Sequence, residues 1–341
     1  MVARWQLRCE RRLRVVPFGF LMLQLAIAPA FAQSDAPGQP SRSPSPPAGI
    51  DEMTVVGRYP GPPMWKVSSA DHVLWIFGNL TPLPKGLDWD PRNVERVMER
   101  AQGAIGEVEF SAPEYNPIKI IRLLRQARRL SRNEDGAALV EVLPPDLYVR
   151  YAALHARYTP RDRGSKKLRP ARAVQRLYDA ALDDAGLTTD RHVSKAIRRI
   201  VRRSHVSATQ LKFVLDPQAI LADLREVTPE AEINCFATAI TAIETDLDPM
   251  KARGRAWALG DVEALRRFDY PDAQGDCLAM LVSAAGLNEL KSRVYAQWLA
   301  EAEAALSAHQ TSFAVLPMRE LFAADGLLAQ LAAKGYAITL P

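Results

Sequence analysis

The 341 residues carry 44 Lys and Arg against 39 Asp and Glu, 48% hydrophobic side chains and three cysteines. The basic excess is local: residues 1–32 hold five Arg and one Glu, which leaves 39 bases against 38 acids beyond them. A sequence pI near 9.1 is therefore no argument for a nucleic-acid-binding protein.

Arg4, Arg8, Arg11, Arg12 and Arg14 precede an apolar segment from Val15 to Ala28, and Ala30-Phe31-Ala32 has the small-x-small pattern of a cleavage site. This predicts a Sec-type signal peptide over residues 1–32, cleaved after Ala32, and hence a periplasmic or secreted protein with no transmembrane span in its mature chain. The competing reading is an uncleaved anchor, but the segment is short beside the ~20 residues a bilayer needs, and Pro17 interrupts it. Of the cysteines, Cys9 leaves with the signal. Cys235 and Cys277 remain, either as a disulfide in an oxidising compartment or as two buried thiols. The absence of Cys-x-x-Cys or a Cys/His cluster argues against structural zinc. Residues 33–53 bring Pro37, Pro40, Pro44, Pro46 and Pro47 together with Ser and Gly, the composition of a flexible tether. Thr54-Val55-Val56-Gly57 reads as a lead-in strand, and residues 54–341 as one domain.

Val73 to Phe77 is an unbroken apolar run, the pattern of a strand covered on both faces. Gly78 is expected to let the backbone leave that strand, and Pro82 and Pro84 to stop it pairing again. Polar Asn79 and Thr81 then stand at the carboxyl end, where open α/β sheets place their ligands. Asp90-Pro91 opens a helix with Val94, Val97, Met98 and Ala101 inward. Ala104 to Phe110 alternates in its second half, which puts Glu107 and Glu109 on one strand face.

A helical insertion is expected over about 117–230. Ile120, Leu123, Leu124, Ala127 and Leu130 form one predicted inward stripe, with Lys119, Arg122, Arg125, Arg129 and Arg132 outside it. Val193, Ala196, Ile197, Ile200 and Val201 form another, with Arg191, Lys195, Arg198, Arg199, Arg202 and Arg203 outward. Such cations are usually a solvated face; the sharper reading is a patch for acidic polymer or anionic lipid. Leu143-Pro144-Pro145-Asp146-Leu147-Tyr148 and Pro170 open further helices. Ile233 to Leu247, ended by Pro249, is a third, followed by a helix carrying Trp257 before Gly260-Asp261 and a long one carrying Arg293 and Trp298. Phe313 to Leu316 predicts a second buried strand. A polar turn at Met318-Arg319-Glu320 follows, then a helix capped by Asp325 and a last strand from Tyr336.

Several of these pieces, in this order, resemble the TraB/GumN family, relatives of the Tiki proteases. They are Met64 to Val67 leading into Val73 to Pro84, then Glu107, Leu143 to Tyr148, Trp257 with Gly260-Asp261, Arg293 with Trp298, and Phe313 to Gly335. The resemblance implies an α/β fold, a central mixed sheet sandwiched by helices with a basic helical middle region. It also implies, for active members, a metal-dependent hydrolase built on two Gly-x-x-His motifs and a glutamate. Here Thr81 and Glu320 stand where those histidines would be. The candidate cleft residues are thus Thr81, Glu107, Arg293 and Glu320, an oxygen-rich set suited to a hard divalent cation if to any. Two readings follow: a catalytically degenerate envelope protein binding a peptide or polysaccharide, or a hydrolase with altered ligands.

Overall fold

The computed structural model describes residues 61–268, 270 and 284–341. Its strands are β1 (Met64–Ser69), β2 (His72–Asn79), β3 (Leu83–Pro84), β4 (Gly103–Ile105), β5 (Glu109–Ser111), β6 (Leu187–Thr188), β7 (Ser207–Thr209), β8 (Lys212–Val214), β9 (Thr311–Pro317) and β10 (Ala337–Thr339). Six of them form a mixed sheet in the order β10-β1-β2-β9-β4-β7. β1 is antiparallel to β10 and β2, whereas β2, β9, β4 and β7 run parallel to one another. The two apolar runs of the sequence therefore lie side by side, with Asn79 opposite Pro317 at their carboxyl ends.

Parallel strands are covered on both faces, and helices supply the cover. Trp65, Leu74, Ile76, Phe77, Trp257, Trp298 and Phe313 are all at most 1% exposed in one cluster; each aromatic or aliphatic side chain so removed from water contributes about 1.5–3 kcal/mol. A second cluster lies among the helices Pro145–Tyr158, Pro170–Asp184 and Pro229–Thr245, where Leu147, Tyr151, Leu177, Ala181, Phe236 and Ile240 meet. These three helices, like Pro117–Leu130 and Pro217–Asp223, begin on proline, whose fixed φ suits the first turn and whose missing N–H costs nothing there. Asn116, Asp216 and Thr228 cap three of the five with side-chain oxygens. Arg169 and Glu232 join the second cluster at its edge, 2.7 Å apart and largely buried. Among the described residues, no helix is long and apolar enough to cross a membrane.

Local chemistry departs from the sequence reading at several points. β2 does not end at Gly78 but continues to Asn79, and Gly78 is not among the glycines with positive φ. Its smallness serves close approach instead: a Cβ there would collide with Met318 Sδ and lie 2.8 Å from the Trp65 ring. Pro84 does pair, through β3 against β6, because that two-residue ladder makes no demand on its missing N–H. The Ala104–Phe110 segment divides, with β4 in the main sheet and β5 paired to β8. Glu107 falls in the connection, so it shares no strand face with Glu109, which bonds Arg198 at 3.0 Å.

Helix boundaries shift as well. Pro249 sits inside the helix Leu247–Leu259, near its start, where proline is tolerated. The expected polar turn is a short helix, Met318–Phe322, with Met318 buried. The last helix, Leu327–Ala333, has Gly326 at its N-cap with no side-chain cap, so Asp325 does not perform that role. Cys235 is disulfide-bonded, while Cys277 lies outside the described residues. So do the signal segment, the tether and the lead-in strand.

Candidate functional site at the carboxyl ends of the parallel strands

β2, β9 and β4 deliver their carboxyl ends to one edge of the sheet. Asn79, the last residue of β2, extends Nδ2 to Glu107 Oε1 at 2.7 Å and lies 3.2 Å from Ser194 Oγ. Ser194 in turn donates its hydroxyl to the same Glu107 oxygen at 2.7 Å. Ser194 comes from the helix His192–Arg203 and is buried; it lies on the inward face with Val193 and Ile197, which is why the helix presents a hydroxyl here. Glu107 thus closes a triangle of neutral donors, both bonds falling on one oxygen.

Glu320 is anchored separately. It is 8% exposed and accepts the Tyr295 hydroxyl, with Arg319 Nε 3.5 Å from its other oxygen. Burial, and then the bond to Glu320, push the Tyr295 phenol above its ordinary value. Above these groups, Trp257 donates Nε1 to the Gly78 carbonyl at 2.7 Å, and this bond fixes the end of β2 against the helix Leu247–Leu259.

A cavity of about 260 Å³ opens at the same edge, lined in part by Asn79, Thr81, Arg253, Tyr270, Met318 and Arg319. Arg253 is 3% exposed and stacks over Tyr270, 5.1 Å from the ring centroid. Burial lowers the guanidinium's pKa and raises that of the Tyr270 phenol. Neither Glu107 nor Glu320 lines this cavity.

The strand ends with their polar network and cavity are the part of the fold to which the sequence resemblance pointed, and the family model for TraB/PrgY/gumN matches residues 63–340. The chain belongs to the TraB/PrgY/gumN family. No curated protein and no solved structure matches it.

Within this TraB/PrgY/gumN chain, the four sequence-derived site residues fall in different surroundings. Thr81 is exposed and lines the cavity, as does Arg319. Glu107 and Glu320 occupy the two hydrogen-bonded anchors just described. Arg293 lies on the exposed side of the helix Ala284–Ala308, and Tyr295, two residues on, is the side chain that reaches Glu320. Asn79 was legible from its place after the apolar run. Ser194 and Tyr295 carried no local signal.

A divalent metal needs several converging donors, and the described residues do not fit one: no group of three or more His, Cys, Asp or Glu side chains is placed to hold an ion. Glu107 and Glu320 hold neutral or cationic donors, and two of the histidines are engaged elsewhere. His72 bonds the Leu306 carbonyl through Nδ1 at 2.6 Å, at the opposite end of β2, and His155 bonds the Asp162 carbonyl and Ser165 Oγ.

Proposed function

We propose that this chain is an exported envelope member of the TraB/PrgY/gumN family that uses the cavity at its strand ends to bind a peptide or envelope polysaccharide, without hydrolysing it. One observation carries the reading: neither carboxylate at the strand ends faces the cavity, each being engaged by side chains of the scaffold. Carboxylates so placed hold elements together. The cavity is lined by Asn79, Thr81, Arg253, Arg319, Tyr178 and Tyr270 among others, a mixture of polar, cationic and aromatic side chains of the kind that suits recognition of polar and anionic groups beside apolar ones.

The test is direct. The protein, purified from the cell envelope and supplied in turn with Mn, Zn or Ca, is incubated with a peptide library. The expected result is no chelator-sensitive cleavage and a raised melting temperature with peptide or polysaccharide. N-terminal sequencing is expected to begin at Gln33. Chelator-sensitive cleavage overturns the binding reading.

A second reading, a hydrolase with altered ligands, is favoured by one detail. Both bonds to Glu107 fall on Oε1, which leaves Oε2 available to a proton or water if the cleft opens towards it. Under that reading Glu107→Gln abolishes cleavage with the melting temperature nearly unchanged; under the binding reading it lowers the melting temperature and there is no cleavage to abolish.

A further inference from the structure

The helix Pro117–Leu130 breaks the rule its own sequence sets. Its expected inward stripe is mostly outside: only Leu123 is buried, while Ile118 is 70% exposed and Leu124 64%, with Ile120 and Ile121 near half. At 100° per residue, Ile120, Ile121, Leu124 and Ala127 share one open arc with Arg128 inside it, and Arg125, Arg129 and Arg122 follow one another along one flank, where Ile118 also lies.

Charge on this helix has one sign. It contains Lys119 and four arginines and no acid, and none of the five is ion-paired among the described residues. Arg225 faces it across an open groove that Ile118, Ile121 and Arg122 also line. The other basic helix, His192–Arg203, shows the contrast. There Val193 and Ile197 are buried and Ile200 and Val201 pack against the core, so no apolar arc is left open, and two of its cations are paired, Lys195 with Asp190 and Arg198 with Glu109.

An exposed apolar arc rimmed by unpaired arginines matches a helix lying in a bilayer interface, where branched side chains enter the headgroup boundary and guanidiniums meet lipid phosphates. An acidic polysaccharide gives no apolar surface for the isoleucines. A second copy docked on this face brings two rows of arginine together, which like-charge repulsion opposes. We propose that the helix Pro117–Leu130 docks this protein on an anionic lipid surface through Ile118, Ile120, Ile121 and Leu124, with Arg122, Arg125, Arg128 and Arg129 on the phosphates.

The experiment is co-flotation of the purified protein with vesicles of phosphatidylcholine alone and of an equimolar mixture with phosphatidylglycerol. Binding is expected to the mixed vesicles only, and to weaken as salt screens the surface charge. Arg122→Gln/Arg125→Gln/Arg129→Gln is expected to reduce it roughly 100-fold, from about a fivefold contribution per cation. Ile118→Ser/Ile121→Ser/Leu124→Ser is expected to abolish it. All six side chains are exposed, so far-ultraviolet circular dichroism and melting temperature should match the parent. Equal binding to both vesicle types, no binding to either, or undiminished binding by the two variants each overturns the proposal. So does a concentration-dependent dimer that the serine variant disperses while vesicles recruit nothing, which assigns the face to a second copy.

Discussion

The Trp257 indole donates to the Gly78 carbonyl at 2.7 Å across 179 residues of sequence. The bond satisfies a buried carbonyl at the end of β2 and stations the helix Leu247–Leu259 over the strand end, with Phe77 and Trp89 about 6 Å from the Trp257 ring. Replacing Trp257 by Phe keeps most of the packing and leaves that carbonyl without its donor, so a loss of about 1–3 kcal/mol is expected. Urea unfolding checks it; an unchanged midpoint contradicts the assigned bond.

Gly78→Ala tests close approach against backbone freedom. Because the added methyl meets Met318 Sδ and the Trp65 ring, overpacking of about 1–3 kcal/mol is expected. Gly78→Ala in a Met318→Ala background should cost less than in the parent. Equal costs in the two backgrounds would place the strain elsewhere.

Ser194→Ala removes one of two donors to Glu107 Oε1. A charge-assisted bond in a part-buried network contributes about 1.5–3 kcal/mol, and loss of that order is expected in denaturant unfolding. Asn79→Ala and Ser194→Ala should combine non-additively, since both act on one oxygen. Simple additivity would show that the triangle does not act as a unit.

Arg169 and Glu232 are 2.7 Å apart with 19% and 10% of their side chains exposed, yet Glu232 titrates above its ordinary value because burial outweighs the guanidinium. Arg169→Met strands a buried carboxylate and is expected to destabilise the helical cluster by about 3–5 kcal/mol, while Arg169→Met/Glu232→Leu recovers most of that. A double variant no better than the single would show that the pair is needed as an ion pair.

Alkaline unfolding provides a fifth test. Tyr295 and Tyr270 both have phenols raised above their ordinary value, chiefly by burial. A phenol that holds its proton more tightly when folded contributes stability that is complete below the unfolded value of about 10 and is lost as pH climbs towards the folded one. Stability should therefore fall steeply above pH ~10. Tyr295→Phe should flatten that fall and cost about 1–3 kcal/mol at neutral pH, where Glu320 loses its donor. An unaltered alkaline slope rules out Tyr295 as a contributor.

Much of the fold was legible because its signals are local. Apolar runs at Val73–Phe77 and Phe313–Leu316 marked the two parallel strands at the heart of the sheet, and prolines marked helix starts. Short-range periodicity misled where neighbours decide burial. The stripe at Ile120, Leu124 and Ala127 has the spacing of a core-facing helix, but the sequence does not say whether anything packs there. The candidate site was legible only in part for the same reason. Asn79 could be picked out by its position after a strand run and Glu107 and Glu320 by their places in the family pattern, whereas Ser194 and Tyr295 are ordinary residues until their helices are placed.

By itself, then, the sequence determined the family, the two buried strand runs and the polar residues that follow them, since periodicity and motif order are carried within a few neighbouring residues. The tertiary structure alone decided which atoms meet. Asn79 and Glu107 are 28 residues apart, and Glu107 and Ser194 are 87 apart; only the closure of β2, β9 and β4 under the helix His192–Arg203 brings one amide, one hydroxyl and one carboxylate within hydrogen-bonding distance. Contacts of that kind depend on how elements dock, and docking is set by the packing of the whole core.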